Sequence, residues 1–176
     1  MATSLTLGRL ESNKNSWGGL KAIYFVGFLG TLKSGATLAA TEEVTGFASA
    51  QSLLKYELKG SNNLDETNSN DRATGTSFYE QSGSVTLKKQ ALATRKELKL
   101  LTYERVHVIT EDYNGLFKIF GFENGCEVAV DVSNGTAMGD LSGYTLNITG
   151  QETEPAHLIA SSIIDDTTNT AVVVGT

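Results

Sequence analysis

Residues 106–135 read Val-His-Val-Ile-Thr-Glu-Asp-Tyr-Asn-Gly-Leu-Phe-Lys-Ile-Phe-Gly-Phe-Glu-Asn-Gly-Cys-Glu-Val-Ala-Val-Asp-Val-Ser-Asn-Gly. Asn-Gly recurs at 114–115, 124–125 and 134–135, ten residues apart each time. Such a pair can supply the two positive φ angles of a tight hairpin turn. The segments between, Val106 to Glu111, Leu116 to Glu123 and Cys126 to Val132, are rich in β-branched and aromatic residues, so consecutive antiparallel strands are expected. A return strand follows at Tyr144-Thr145-Leu146-Asn147-Ile148-Thr149, which alternates cleanly, and Pro155 ends the region.

Toward the N-terminus, one helix is expected over Gln90 to Thr102. Its apolar residues Ala91, Leu98 and Leu101 fall at offsets zero, seven and ten, a single stripe that can pack while Arg95, Lys96, Glu97 and Lys99 stay wet. Before it, Ser77 to Lys88 reads as a strand with a possible bulge at Ser82-Gly83-Ser84. Residues 60–76 are almost wholly polar and sit between strand-like segments, so they read as a long hairpin loop, which in a compact domain is often a contact element. Gln51 to Lys59 alternates, with Leu54, Tyr56 and Leu58 on one side and Lys55, Glu57 and Lys59 on the other. Residues 30–49 fit either a strand pair or a short helix. Leu20 to Phe28 is nearly all apolar, as expected for a core strand covered on both faces. Residues 1–16 read as an arm with Leu5, Leu7 and Leu10 as anchors, and residues 158–176 as a second arm whose Val172, Val173 and Val174 could add as a strand. The sandwich itself would occupy residues 17–157.

Composition agrees. The chain has 176 residues, enough for one good core, and carries 14 basic against 20 acidic side chains for a net charge of -6. That balance argues against gripping nucleic acid or an anionic membrane. Abundant glycine (18), one proline and many Ser, Thr and Asn suit short strands joined by turns. The start of the chain lacks a basic segment followed by an apolar run, and no stretch reaches the length of a membrane span, so a product made in the cytoplasm is expected.

Chemistry is hard to find. His107 and His157 have no ligand spacing, and His107 reads as a half-exposed strand residue. Asp65 to Asp71 imitates a calcium loop but has Asn70 where glycine is needed and Thr76 where a bidentate Glu belongs. Cys126 reads as a small buried apolar residue. No catalytic set, cofactor site or metal site is expected. The combination points to a mainly β chain, an antiparallel β-sandwich or partial barrel with one flanking helix at about 91–101, a long hairpin loop and extended terminal arms.

The order of parts resembles the major tail tube proteins of tailed bacteriophages and related secretion tubes. The resemblance spans about residues 17–157 and rests on the apolar strand, the long-looped hairpin, the Leu-rich helix Ala91 to Leu101, the segment Ile109-Thr110-Glu111-Asp112-Tyr113-Asn114-Gly115, and Asp140-Leu141-Ser142-Gly143-Tyr144 before the last strand. It implies a virion protein that forms rings, hexameric in this family, stacked into a tube that conducts DNA without binding it specifically. The partners implied are the chain itself and other tail proteins. The hairpin residues Asn62, Asn63, Leu64, Asp65, Glu66, Asn70, Asp71 and Arg72 would then bridge to the next ring. A head-to-tail adaptor, a tail terminator and a carbohydrate-binding β-sandwich using exposed aromatics are the alternative readings.

Overall fold

The computed structural model describes residues 8–164 and 170–174. Strand β1 (Leu20–Gly27) is its centre, and Ala22 to Val26 are all buried. Both faces are covered because successive side chains alternate: Ile23 and Phe25 enter one apolar cluster, while Ala22, Tyr24 and Val26 enter another. The expectation of a strand covered on both sides therefore holds.

Two β-rich halves meet at β1's partner. In the first half, β1 pairs antiparallel with β4 (Gln51–Glu57) on one edge and β7 (Val106–Asp112) on the other. Next to β7 come β8 (Phe117–Phe120), β11 (His157–Ile159), β3 (Val44–Gly46) and β2 (Thr37–Leu38). Beyond β4 lies β12 (Thr170–Val174). In the second half, Val106 of β7 pairs with Cys126, the first residue of β9 (Cys126–Ser133). From β9 the ladder continues through β10 (Gly143–Glu152) and β6 (Thr76–Lys88) to β5 (Asn63–Asp71), every pair antiparallel. The result is mainly β, a 12-stranded mixed sheet that does not close into a barrel.

The first core lies between the halves, combining Ile23, Phe25 and Val108 with Val85, Val128, Leu146 and Ile148. Leu98 of helix α2 (Leu92–Leu101) plugs its end. The second core covers the opposite face of the first half, where Tyr24, Leu53, Ile109 and Ile119 meet Leu32 of α1 (Leu32–Gly35) and Ile163 and Ile164 of α3 (Ser161–Ile164).

Several expectations change. Residues 60–76 are not a loop: β5 pairs residue by residue with β6 from Asn63↔Ser84 to Asp71↔Thr76, leaving a turn at 72–75. The strand was hidden because it is exposed on both faces beyond Glu66 and so carries no period-2 apolar signal. Of the three Asn-Gly pairs, only Asn114-Gly115 joins neighbouring strands closely; β8 does not pair with β9, and β9 reaches β10 through the long loop 134–142. Gly115, Gly125 and Gly135 do have positive φ, whereas their asparagines do not, so these turns need one left-handed residue and not two. Of the expected face Leu54, Tyr56 and Leu58, Tyr56 and Leu58 do pack on the first core, but Leu54 is 36% exposed and the most deeply buried residue of β4 is Leu53, which the second core claims from the opposite face. Ala91 is exposed and precedes the helix, Leu101 is half-buried, and Leu98 carries the packing. Residues 30–49 contain both options, α1 and then β2 and β3.

The arms differ as well. Residues 158–164, expected to begin a free arm, belong to β11 and α3 and feed the second core. The valine patch adds as β12, parallel to β4 of its own chain, with Val172 and Val173 partly exposed and Val174 paired to Lys55. Leu10 is 92% exposed, and Leu5 and Leu7 lie outside the described residues.

Candidate assembly surfaces

Strand alternation sorts the second half into an apolar and a polar face. Gln81, Val85, Val128, Leu146 and Ile148 point into the core. Their neighbours stand in polar rows across the four strands: Asp65, Ser82, Thr149 and Glu127 form one, and Asn63, Ser84, Asn147 and Ala129 the next. Thr86, Thr145 and Asp131 form a third, within which Asn147 of the adjacent row donates to Asp131 Oδ2 at 2.9 Å. Glu80, Glu127, Asp131 and Asp65 outnumber Lys88 on this face, so it is acidic. Glu80, Glu127 and Asp131 were missed as candidates, although the alternation of Cys126 to Val132 signals Glu127 and Asp131.

Both borders of this four-stranded unit are open among the described residues. β5 pairs only with β6, and β9 beyond Cys126 pairs only with β10. β5 and the stretch of β9 from Glu127 to Val132 therefore present backbone N–H and C=O groups without partners, the feature that templates pairing with another chain, while the Ser133 carbonyl accepts from Gln90 Nε2 at 2.9 Å and Cys126 is held by Val106. Because four strands alternate in direction, β5 and β9 run oppositely. A rotated copy would present its β9 antiparallel to this β5.

The hairpin between β5 and β6 overhangs the sheet. β10 reaches only as far as Tyr79, opposite Glu152, so Asn68–Asp71 and Thr76–Phe78 project as a two-stranded ribbon. At its tip the Asp71 carboxylate accepts from the Ala73 N–H at 2.8 Å, and that backbone bond holds its carboxyl below the usual range. The base of the hairpin is tied inward instead. Asn62 Oδ1 accepts from the Thr86 N–H at 2.7 Å, and Leu64 is buried. Glu66 Oε2 accepts from the Ala156 N–H at 2.6 Å and from Gln81 Nε2 at 3.1 Å, while Gln81 Oε1 accepts from the Gly121 N–H at 2.8 Å. Of the hairpin residues singled out in the sequence, Asn62, Leu64 and Glu66 thus serve the fold, and Asn63, Asp65, Asn70, Asp71 and Arg72 remain outward.

Below the foot of β9 lies a groove of about 560 Å³ lined by Phe78, Glu80, Arg105, Glu127, Gln151 and Glu152 among others. Glu152 is buried, and burial pushes its carboxyl above the ordinary value although it accepts from the Glu123 and Asn124 N–H groups. The Arg105 guanidinium lies 4.4 Å from the Phe28 ring centre and donates to the Asn124 carbonyl at 3.2 Å.

The residues that could have been reactive are committed elsewhere. His107 is fully buried, not half-exposed: Nδ1 donates to the Gly121 carbonyl at 2.6 Å and Nε2 accepts from the Leu29 N–H at 3.0 Å. Burial lowers its pKa, against the upward pull of the backbone bonds at Gly121 and Leu29. Cys126 is buried and its thiol is pushed up to about 12, first by burial and then by nearby Glu152. His157 bonds the Glu42 carbonyl through Nδ1 at 3.0 Å. Among the described residues no group of three or more His, Cys, Asp or Glu side chains could hold a metal ion. No helix among them is long and apolar enough to cross a membrane. Of the aromatic side chains, Trp17 (70%) and Tyr103 (75%) are well exposed, whereas Tyr24 and Tyr144 are core residues. No protein-family description, curated protein or solved structure gives a significant match to this chain.

Proposed function

We propose that this chain is the subunit of a hollow tube of stacked rings, the tail tube of a bacteriophage, which conducts DNA and resides in the virion. The observation that carries the reading is the four-stranded unit with two open borders of opposite direction and one acidic, uncovered face. Joining β5 of each copy to β9 of the next would satisfy the open backbone around a ring, and closure would leave no edge. Six copies would contribute about 24 strands; at about 4.8 Å between strands and about 40° of tilt, the backbone ring would be roughly 48 Å across. That leaves a lumen wide enough for a DNA duplex. A wall of Asp, Glu, Ser, Thr and Asn side chains would repel phosphates and let the duplex slide, which suits passage without binding.

Proline on the β9 border tests this. In an edge strand neighbouring residues point their N–H groups alternately inward and outward. Of the exposed pair Asp131→Pro and Val132→Pro, one should therefore keep the bond to β10 and lose only the border. The folded variant should remain monomeric under conditions where the parent assembles. Two folded variants that assemble like the parent would refute the edge-joined tube.

A further inference from the structure

The groove at the foot of β9 and the hairpin tip fit one another in charge and place. Arg72 is the only cation between Lys59 and Lys88, stands exposed at the turn, and makes no hydrogen bond or ion pair among the described residues. Asp71 beside it is occupied by the Ala73 N–H, so the turn presents Arg72 on a fixed loop. The groove carries the Glu80, Glu127 and Glu152 carboxylates against one guanidinium, Arg105, already engaged by Phe28 and the Asn124 carbonyl. A second hollow of about 350 Å³ continues from it along β9, sharing Arg105, Glu127 and Thr149.

A copy's own tip cannot use its own groove, because Phe78 of that groove sits on the same ribbon and Glu80 on the strand at its base, and the tip runs about 10 Å beyond Phe78. A neighbour's tip can. A β5 edge lying antiparallel along β9 would run toward Cys126, where Val106 of β7 takes over the border, and its overhanging tip would arrive beside Arg105, which lines the groove.

We propose that the β5–β6 tip of one copy seats in this groove of the adjacent copy in the same ring, with Arg72 against the groove carboxylates. The partner is thus a second copy of this chain, and the site rests on the ring reading above. It assigns the hairpin to contact within a ring, where length and polarity alone suggested contact between rings. The docking is a clasp across the seam that backbone pairing begins.

The test combines charge reversal with cross-linking on the full chain. Arg72→Glu should fold normally by circular dichroism and need about tenfold more protein to reach half-assembly, with Arg72→Glu plus Glu80→Arg recovering most of the loss. Ala73→Cys with Gln151→Cys, treated with a short bismaleimide, should give a ladder of covalent multimers that neither single variant gives; the buried Cys126 stays silent. Rings that form without a ladder, together with unchanged assembly of Arg72→Glu, would overturn the clasp and leave the tube reading standing. Absence of any ring from the parent chain would overturn both.

Discussion

His107 bolts two segments together: its ring joins the Gly121 carbonyl to the Leu29 N–H and stacks on Phe28 at 5.1 Å between ring centres. Replacing it with alanine leaves both backbone groups unpaired in the interior and should cost about 2–4 kcal/mol in urea unfolding. Its titration has a definite sign. The folded pKa is lowered, so the unfolded chain binds the proton first as pH falls through the ordinary imidazole range near 6.5, and stability declines there. Between pH 7.5 and 5.5 the parent should therefore lose more stability than His107→Gln; equal losses would show that His107 does not titrate as described. At Cys126 the raised pKa predicts that a thiol reagent such as a disulfide dye reacts slowly with the native chain and rapidly in guanidinium, and a fast native reaction would contradict the burial. Cys126 was legible because a lone cysteine among alternating valines reads as core. The burial of His107 was not, because the backbone groups it joins lie 14 and 78 residues away in the chain.

At the scale of elements, α2 rests on a single deeply buried side chain. Leu98→Ala should cost about 2–4 kcal/mol in the same urea assay, whereas Ala91→Ser, at an exposed position, should change little. Gly83 explains how β5 can lie against β6: a Cβ there would come within 2.2 Å of the Asn63 carbonyl oxygen and 2.5 Å of Leu64 Cα. Gly83→Ala should push β5 off the ladder and raise hydrogen exchange along residues 63–71, and unchanged protection would contradict the close approach. Removing residues 62–74 deletes β5 and its buried Leu64, so the informative truncation is of the ribbon beyond Tyr79, which should leave the monomer fold intact. The strands with an apolar face, β1 and β10, announced themselves in the sequence, because burial on a pleated sheet imposes alternation or continuous apolarity. β5 did not, since beyond Leu64 and Glu66 its residues are exposed on both faces and only the backbone ladder holds them. The short strands β2, β3 and β11 depend on distant partners, such as Ile159 against Val44, that no local pattern encodes.

For the whole molecule, the decisive feature is that the polar four-stranded unit ends in two open borders that match by direction. The mainly β class and the central strand could be read from periodicity. The face and borders required the register, because which of two alternating sets faces outward depends on where the core lies. The acidic excess visible in the composition gains a location there, on Asp65, Glu80, Glu127 and Asp131. Negative-stain electron microscopy of the purified chain, with light scattering on the same sample, tests the central claim most directly. Hollow rings or tubes, accompanied by species many times heavier than the 18.8 kDa subunit, are the predicted result. A uniform 18.8 kDa monomer without rings at the highest concentration reached would contradict it.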